Sequence, residues 1–141
     1  MTVAPRVVHM PGGVRTEIHL AGEDTAGAFC LLVDEPPPGW SLPPHSHANE
    51  AETIHVLSGE LEVDVDGRPA RLAAGDTIHV PQGARHATRN VGAGSVRRVV
   101  VFSPAGLERF FLEVGTPSPD TTAQPQDALA AALRHGWRFA P

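Results

Sequence analysis

The stretch that decides both fold and chemistry reads His45-Ser46-His47-Ala48-Asn49-Glu50-Ala51-Glu52, and a single histidine, His86, follows it further along the chain. Two histidines that lie two residues apart on a β-strand project to the same face, with Cα atoms about 6.5 Å apart. Their imidazoles can therefore converge on one cation, with bonds of roughly 2.0–2.2 Å. Together with a carboxylate oxygen from Glu52 and a third nitrogen from His86, they predict a site for a divalent transition metal and not for calcium or magnesium.

Short apolar segments separated by glycine, proline and aspartate surround this stretch and predict β-strands. Their lengths and their content of β-branched residues are typical of strands. Leucine and valine alternate with acidic residues up to Val65, and Asp66-Gly67 then supplies the positive-φ positions of a tight hairpin. The predicted strands cover residues 29–33, 53–57, 61–65, 77–80 and 96–102. The pattern predicts an antiparallel all-β barrel or sandwich.

Helical patterns occur only near the C-terminus. Residues 106–115 form a short amphipathic segment that ends at a glycine, and a linker rich in threonine, proline and serine follows at 116–126. Residues 127–135 predict a helix with leucine and alanine on one face and a glycine just after its end. We expect Trp137 and Phe139 to pack back onto the barrel.

The composition of the 141-residue chain excludes several classes of function. A chain of this length forms one domain with a buried core. The net charge of −5 leaves no basic surface for nucleic acid. No apolar run approaches the roughly 18 residues of a membrane helix, and the N-terminus lacks the pattern of a signal peptide. A single cysteine, Cys30, is compatible with a reducing compartment. We therefore expect a cytoplasmic protein without nucleic-acid or membrane partners.

Two spaced motifs carry a family resemblance. The first has five, one, four and six residues between its members, which are Gly39, His45, His47, Glu52 and Gly59. The second has five, one, two and three residues between its members, which are Gly75, Pro81, Gly83, His86 and Asn90. Fifteen residues separate the two motifs, and in this order they resemble the two motifs of the cupins.

This resemblance covers residues 25–103 and implies a cupin double-stranded β-helix, which is a jelly-roll barrel, with a short C-terminal helical segment. It divides the chain into N-terminal strands or an arm at 1–24, the barrel at 25–115, and a linker at 116–141 with a C-terminal helix that packs on the barrel. Barrels of this family commonly pair through an edge strand, so the resemblance also implies a homodimer.

The resemblance and the ligand spacing together assign His45, His47, Glu52 and His86 as metal ligands. Glu50 lies two residues from Glu52, and we keep it as an alternate ligand or as a hydrogen-bonding neighbour of a ligand. Iron, nickel, manganese, cobalt and zinc all suit such a donor set. By resemblance, Glu52 is also the catalytic base that deprotonates the substrate.

A narrower resemblance, to the quercetin-dioxygenase-like monocupins, rests on residues 44–52, 56–60 and 103–111. It implies a dioxygenase that brings together O₂ and an enol-containing or aromatic small molecule. The alternatives are a redox-neutral zinc enzyme, such as a polyketide cyclase or isomerase, and a non-catalytic metal-containing binding or sensor protein. The residues expected to form an apolar wall around the substrate are Ile54, Val56, Leu61, Val63 and Phe102.

Overall fold

The structure, a computed structural model, describes residues 1–139 and is built mainly from β-strands. The strands are β1 (Arg6–Met10), β2 (Val14–Leu20), β3 (Cys30–Glu35), β4 (Ser41–His47), β5 (Ala51–Ser58), β6 (Leu61–Val65), β7 (Arg68–Leu72), β8 (Thr77–Val80), β9 (His86–Asn90), β10 (Arg97–Ser103) and β11 (Trp137–Phe139). Two short helices, α1 (Glu108–Val114) and α2 (Pro125–Arg134), lie near the C-terminus. The predicted all-β fold with a short C-terminal helical segment is confirmed. Neither helix of this described part has the length and apolar character needed to cross a membrane.

The strands form two antiparallel sheets that enclose the core. One sheet has the strand order β1-β2-β3-β10-β5-β8, and the other has the order β11-β4-β9-β6-β7. The chain passes from one sheet to the other at most of its connections from β3 onwards, including those between β4 and β5 and between β8 and β9. Residues of the first motif therefore reach the interior from both sheets, while β9, which carries the histidine of the second motif, lies beside β4.

Strand β6 shows how an alternating sequence becomes a strand with two different faces. Leu61 and Val63 are fully buried, whereas the acidic residues that follow each of them are only partly buried. β6 pairs with β7 through a two-residue connection. Asp66 and Gly67 in that connection have φ values of 51° and 81°, the two positive values that a type I′ hairpin turn requires.

Two clusters of buried apolar side chains fill the interior. One lies around β5 and β6 and consists of Ile54, Val56, Leu61, Val63, Leu72 and Val96. The other joins the N-terminal strands to both helices and β11, and includes Met10, Val14, Ile18, Leu32, Phe102, Leu107, Phe110, Val114, Ala132 and Trp137. Each fully buried aliphatic side chain contributes about 1.5–3 kcal/mol to stability through loss of contact with water. Trp40 packs against both clusters.

The C-terminal segment adds the last strand to the second sheet. Gly136 follows α2 with a φ of 87°, a value that glycine adopts readily and that redirects the chain. β11 then pairs antiparallel with β4, so that Trp137 lies opposite His47 and Phe139 lies opposite His45. Two aromatic residues from the end of the chain are thus placed beside the strand that carries two of the predicted metal ligands.

Candidate metal centre

Four buried side chains, each predicted as a metal ligand, converge between the two sheets. His45, His47, Glu52 and His86 each offer one ligand atom, and these atoms lie within 4.8 Å of one another. None of the four residues is more than 6% exposed. The register explains the convergence, since His45 and His86 are directly opposite on β4 and β9, while β5 brings Glu52 from the other sheet.

The distances within this group fit a single metal ion. Glu52 Oε1 lies 3.1 Å from His86 Nε2 and 3.3 Å from His47 Nε2. Ligand atoms bound to one ion at about 2.0–2.2 Å in octahedral or tetrahedral geometry are separated by about 3–3.5 Å. Three imidazole nitrogens and one carboxylate oxygen are donors that suit divalent transition metals. These four residues could therefore hold such an ion.

Two of the three imidazoles are held in the orientation that metal binding needs. His45 Nδ1 lies 2.8 Å from the carbonyl oxygen of Pro43, and His86 Nδ1 lies 3.1 Å from that of Ala84. A carbonyl oxygen can only accept, so each Nδ1 carries the proton and donates it. The lone pair of each Nε2 is then available to a metal ion.

Burial and mutual contact perturb the acid–base properties of the group. Burial, together with the neighbouring His86, lowers the pKa of His45 to about 4. Burial alone would raise the pKa of Glu52, but its contacts with His47 and His86 outweigh burial and hold that pKa well below its usual range. Burial would lower the pKa of His86, but its contact with Glu52 raises it. His45 is consequently neutral at pH 7, as a metal ligand must be.

A largely apolar cavity of about 460 Å³ opens directly onto this group, with His45, His47 and Glu52 in its lining. Much of the remaining wall is aromatic or aliphatic and comprises Trp40, Leu42, Phe102, Phe110, Phe111, Val114, Leu129, Trp137 and Phe139. A cavity of this size and character is typical of small-molecule sites.

Of the five residues expected to wall the substrate, the structure places only Phe102 in this cavity. Ile54, Val56, Leu61 and Val63 are fully buried in the cluster around β5 and β6 and do not line it. Alternation along a strand determines the face on which a side chain lies. It does not determine how far along the barrel that side chain lies from the ligands.

The aromatic wall from the C-terminal segment was not assigned to the site from the sequence. Trp137 stacks on His45 with ring centroids 4.9 Å apart and an interplanar angle of 22°. It also meets His47 edge-on at 4.6 Å. The available signal was the pair of aromatic residues two apart after a glycine, which indicates packing onto the barrel but not the surface that they cover.

Glu50 lies outside the group of four ligand atoms. Its side chain is nevertheless buried, and burial raises the pKa of its carboxyl group. Glu52, and not Glu50, is the carboxylate that contacts two imidazoles. The structure therefore places Glu50 beside the candidate centre instead of in it.

Comparison with known proteins identifies a matching family and several similar proteins. Residues 32–102 match the family model described as the Cupin domain. Quercetin 2,3-dioxygenase of Bacillus subtilis is 32% identical over 69% of this chain, and the chain spans only 28% of that protein's length. The tetracenomycin polyketide synthase protein TcmJ of Streptomyces glaucescens is 32% identical over 88% of this chain and 83% of its own length. Among solved structures, the polyketide cyclase RemF of Streptomyces resistomycificus superimposes with a TM-score of 0.58 and 28% identity, covering 72% of this chain and 73% of that one.

Proposed function

The chain belongs to the Cupin domain family, and on that premise we propose that it is a metal-dependent dioxygenase of an aromatic, enol-containing small molecule. The observation that carries the proposal is the direct opening of the four-ligand group into the apolar cavity. A bound transition metal would acidify a coordinated hydroxyl and, if it is redox-active, allow reaction with dioxygen. We propose that the metal is one of iron, nickel, manganese, cobalt and zinc.

Glu52 is the residue that we assign as catalytic base. It is the one carboxylate of the ligand group, and it lines the cavity where the substrate would lie. Two imidazole nitrogens, at 3.1 and 3.3 Å, hold its Oε1 in place and keep it ionised. An ionised carboxylate at this position can accept the proton of an enol that enters the cavity.

The aromatic wall favours a flat substrate. Trp137 and Phe139 are stacked with an interplanar angle of 21°, and Trp137 is also nearly parallel to the His45 ring. A planar ring system that slides along these faces would displace water from apolar surface and make offset-stacked contacts. The same wall keeps water away from the proton that Glu52 accepts, which strengthens electrostatic interactions there.

A redox-neutral reaction on the same class of substrate is the second candidate. This candidate is favoured by the similarity to TcmJ and to the polyketide cyclase RemF, because each match extends over most of this chain and most of the other protein. In such a reaction Glu52 would again remove a proton, and ring closure or isomerisation would follow without O₂. A binding or sensor protein without turnover is the third possibility.

One experiment separates these three functions. The protein is stripped of metal, reloaded separately with iron, nickel, manganese, cobalt or zinc, and incubated with quercetin and with linear aromatic polyketides. Oxygen uptake and product mass are recorded in air and under anaerobic conditions. Oxygen uptake that matches product formation supports the dioxygenase, and equal product formation without O₂ refutes it in favour of the redox-neutral enzyme.

The Glu52→Gln variant is the control for catalysis. If the wild-type protein turns over a substrate, the variant should lose turnover while an aromatic ligand still binds. Ligand binding without turnover of any compound by any metal form of the wild type would favour the binding protein. The homodimer expected from the family resemblance stays a prediction, which light scattering of the metal-loaded protein tests.

A further inference from the structure

The three candidate imidazole ligands are not supported equally. His45 and His86 each donate from Nδ1 to the carbonyl oxygen two residues earlier, at Pro43 and Ala84. His47 turns its Nε2 towards Glu52 in the same way, yet its Nδ1 is buried and has no hydrogen-bond partner within the part of the chain that the structure describes. When the Nε2 lone pair of His47 is directed at a metal ion, its proton lies on Nδ1. A buried N–H without an acceptor costs about 1–3 kcal/mol, so this nitrogen then needs a partner.

Glu50 has a buried side-chain oxygen that lacks a hydrogen-bond donor. Its Oε1 is also buried and without a partner among residues 1–139. Four buried side-chain atoms of the described residues lack a partner, and the other two are Thr88 Oγ1 and the indole Nε1 of Trp137. When Glu50 is ionised, its oxygen is the one atom of these four that can only accept a hydrogen bond. A buried carboxylate without a donor is costly, and an N–H group is what it requires.

The turn between β4 and β5 keeps Glu50 close to His47. Glu50 follows three residues after His47, and Ala48 between them is fixed on both sides. The Ala48 N–H donates to the carbonyl oxygen of Gly136 at 2.9 Å, and the Ala48 carbonyl accepts from the Gln82 side chain at 2.9 Å. Burial raises the pKa of the Glu50 carboxyl group, and His47 is one of two imidazoles, with His135, that act in the opposite direction.

We propose that Glu50 is a positioning residue whose carboxylate accepts the Nδ1–H of His47 and so orients that imidazole towards the metal ion. The proposal deepens the metal-dependent function proposed above and rests on it. The contact would fix the tautomer with the lone pair on Nε2 and increase the basicity of that nitrogen. His47 would then be supported by a side chain, whereas the other two histidines are supported by the backbone.

Zinc affinity of the full chain, measured by competition with a chromogenic chelator, tests this role. Glu50→Leu removes the acceptor, and its zinc affinity should fall by about 10- to 100-fold, as is usual when an outer contact of a ligand is lost. Glu50→Gln keeps an acceptor oxygen and should lose less. Glu108→Gln is the matched control, because Glu108 is a buried carboxylate that acts on Glu50 electrostatically but hydrogen-bonds the backbone N–H groups of Gly22 and Gly106. Its affinity should stay within about threefold.

The outcomes distinguish this inference from the function on which it rests. If the wild type binds no zinc, the metal-dependent function fails. If the wild type binds zinc and Glu50→Leu binds it equally well, or if Glu108→Gln loses as much, the positioning role alone is refuted. If Glu50→Leu does not fold, ¹⁵N NMR of the zinc-loaded wild type decides. A slowly exchanging Nδ1 proton on His47 supports the contact, and its absence while the His45 and His86 protons are visible overturns it.

Discussion

The buried ion pair between Arg98 and Asp34 allows a quantitative test of the interior beside the cavity. The two residues are cross-strand partners on β10 and β3, and the guanidinium binds both carboxylate oxygens, at 2.8 and 3.1 Å. Each side chain is only 7% exposed. Asp34 lines the cavity, and the guanidinium lies 5.1 Å from the centre of the Trp40 ring.

Replacing Arg98 with methionine should destabilise the protein by about 3–5 kcal/mol, since it leaves a buried carboxylate without its partner. That loss is a large fraction of the roughly 5–15 kcal/mol that stabilises a typical domain. The double variant Arg98→Met with Asp34→Leu should recover much of it, because replacing both charges by apolar groups is often close to neutral. Part of the loss that remains reflects the cation–π contact with Trp40, which is worth about 0.5–2 kcal/mol.

The assay is urea unfolding of metal-free protein, followed by circular dichroism and fitted with a common m-value. Arg89→Met is the matched control, because Arg89 forms a similar 2.9 Å contact with Glu62 but is 60% exposed, and such surface pairs contribute about 0–1 kcal/mol. If Arg98→Met costs no more than Arg89→Met, or if the double variant costs as much as the sum of its single changes, the account of this buried pair is wrong.

Three further predictions test other parts of the molecule. Gly39→Ala should lower the free energy of unfolding by about 1–2 kcal/mol, because residue 39 has a positive φ. Gly59→Ala should lower it by more, because the added Cβ would also lie 2.8 Å from the carbonyl oxygen of Ser95. Equal losses of stability in urea unfolding would refute this clash. Burial would raise the pKa of Glu17, but hydrogen bonds from one histidine and two arginines lower it to about 2. The stabilising contribution of ionised Glu17 is therefore present above about pH 4.5 and is lost as the pH falls towards 2. The Glu17→Gln variant should be less stable than the wild type by up to about 3 kcal/mol at pH 7. A stability difference that persists unchanged at pH 2 would contradict this account. His86→Ala removes a candidate ligand. Its zinc affinity in the chelator competition should fall by more than the roughly 10- to 100-fold expected when a residue that hydrogen-bonds a ligand is lost. An unchanged affinity would exclude His86 from the site.

Local patterns predicted five of the eleven described strands, namely β3, β5, β6, β8 and β10. Strands β6 and β8 begin and end at the predicted residues, because alternating apolar residues lie between turns rich in glycine and aspartate. Strand β7 was not predicted, since it contains Pro69 and few apolar residues and is stabilised by pairing with β6. Strand β11 has only three residues, too few for any periodic pattern to reveal.

The candidate ligands were also accessible from the sequence, because their positions depend on short spacings. His45 and His47 lie on the same face of a strand because side chains alternate with a period of two. The spacing of the two motifs then assigns Glu52 and His86 as ligands with them. The structure brings these four together within one buried group. Glu50, which the sequence left as an alternative ligand, is placed outside it.

By itself, the sequence determined the class of fold and the four residues that could hold a metal, because strand periodicity and motif spacing act over a few residues. Only the tertiary structure decided what surrounds the ligands. Trp137 reaches His45 and His47 across about ninety residues of sequence through the pairing of β11 with β4. Ile54, on the same face of β5 as Glu52, lies instead in the cluster that does not line the cavity. Such distances depend on how the sheets pair and pack, and no local pattern in the chain encodes them.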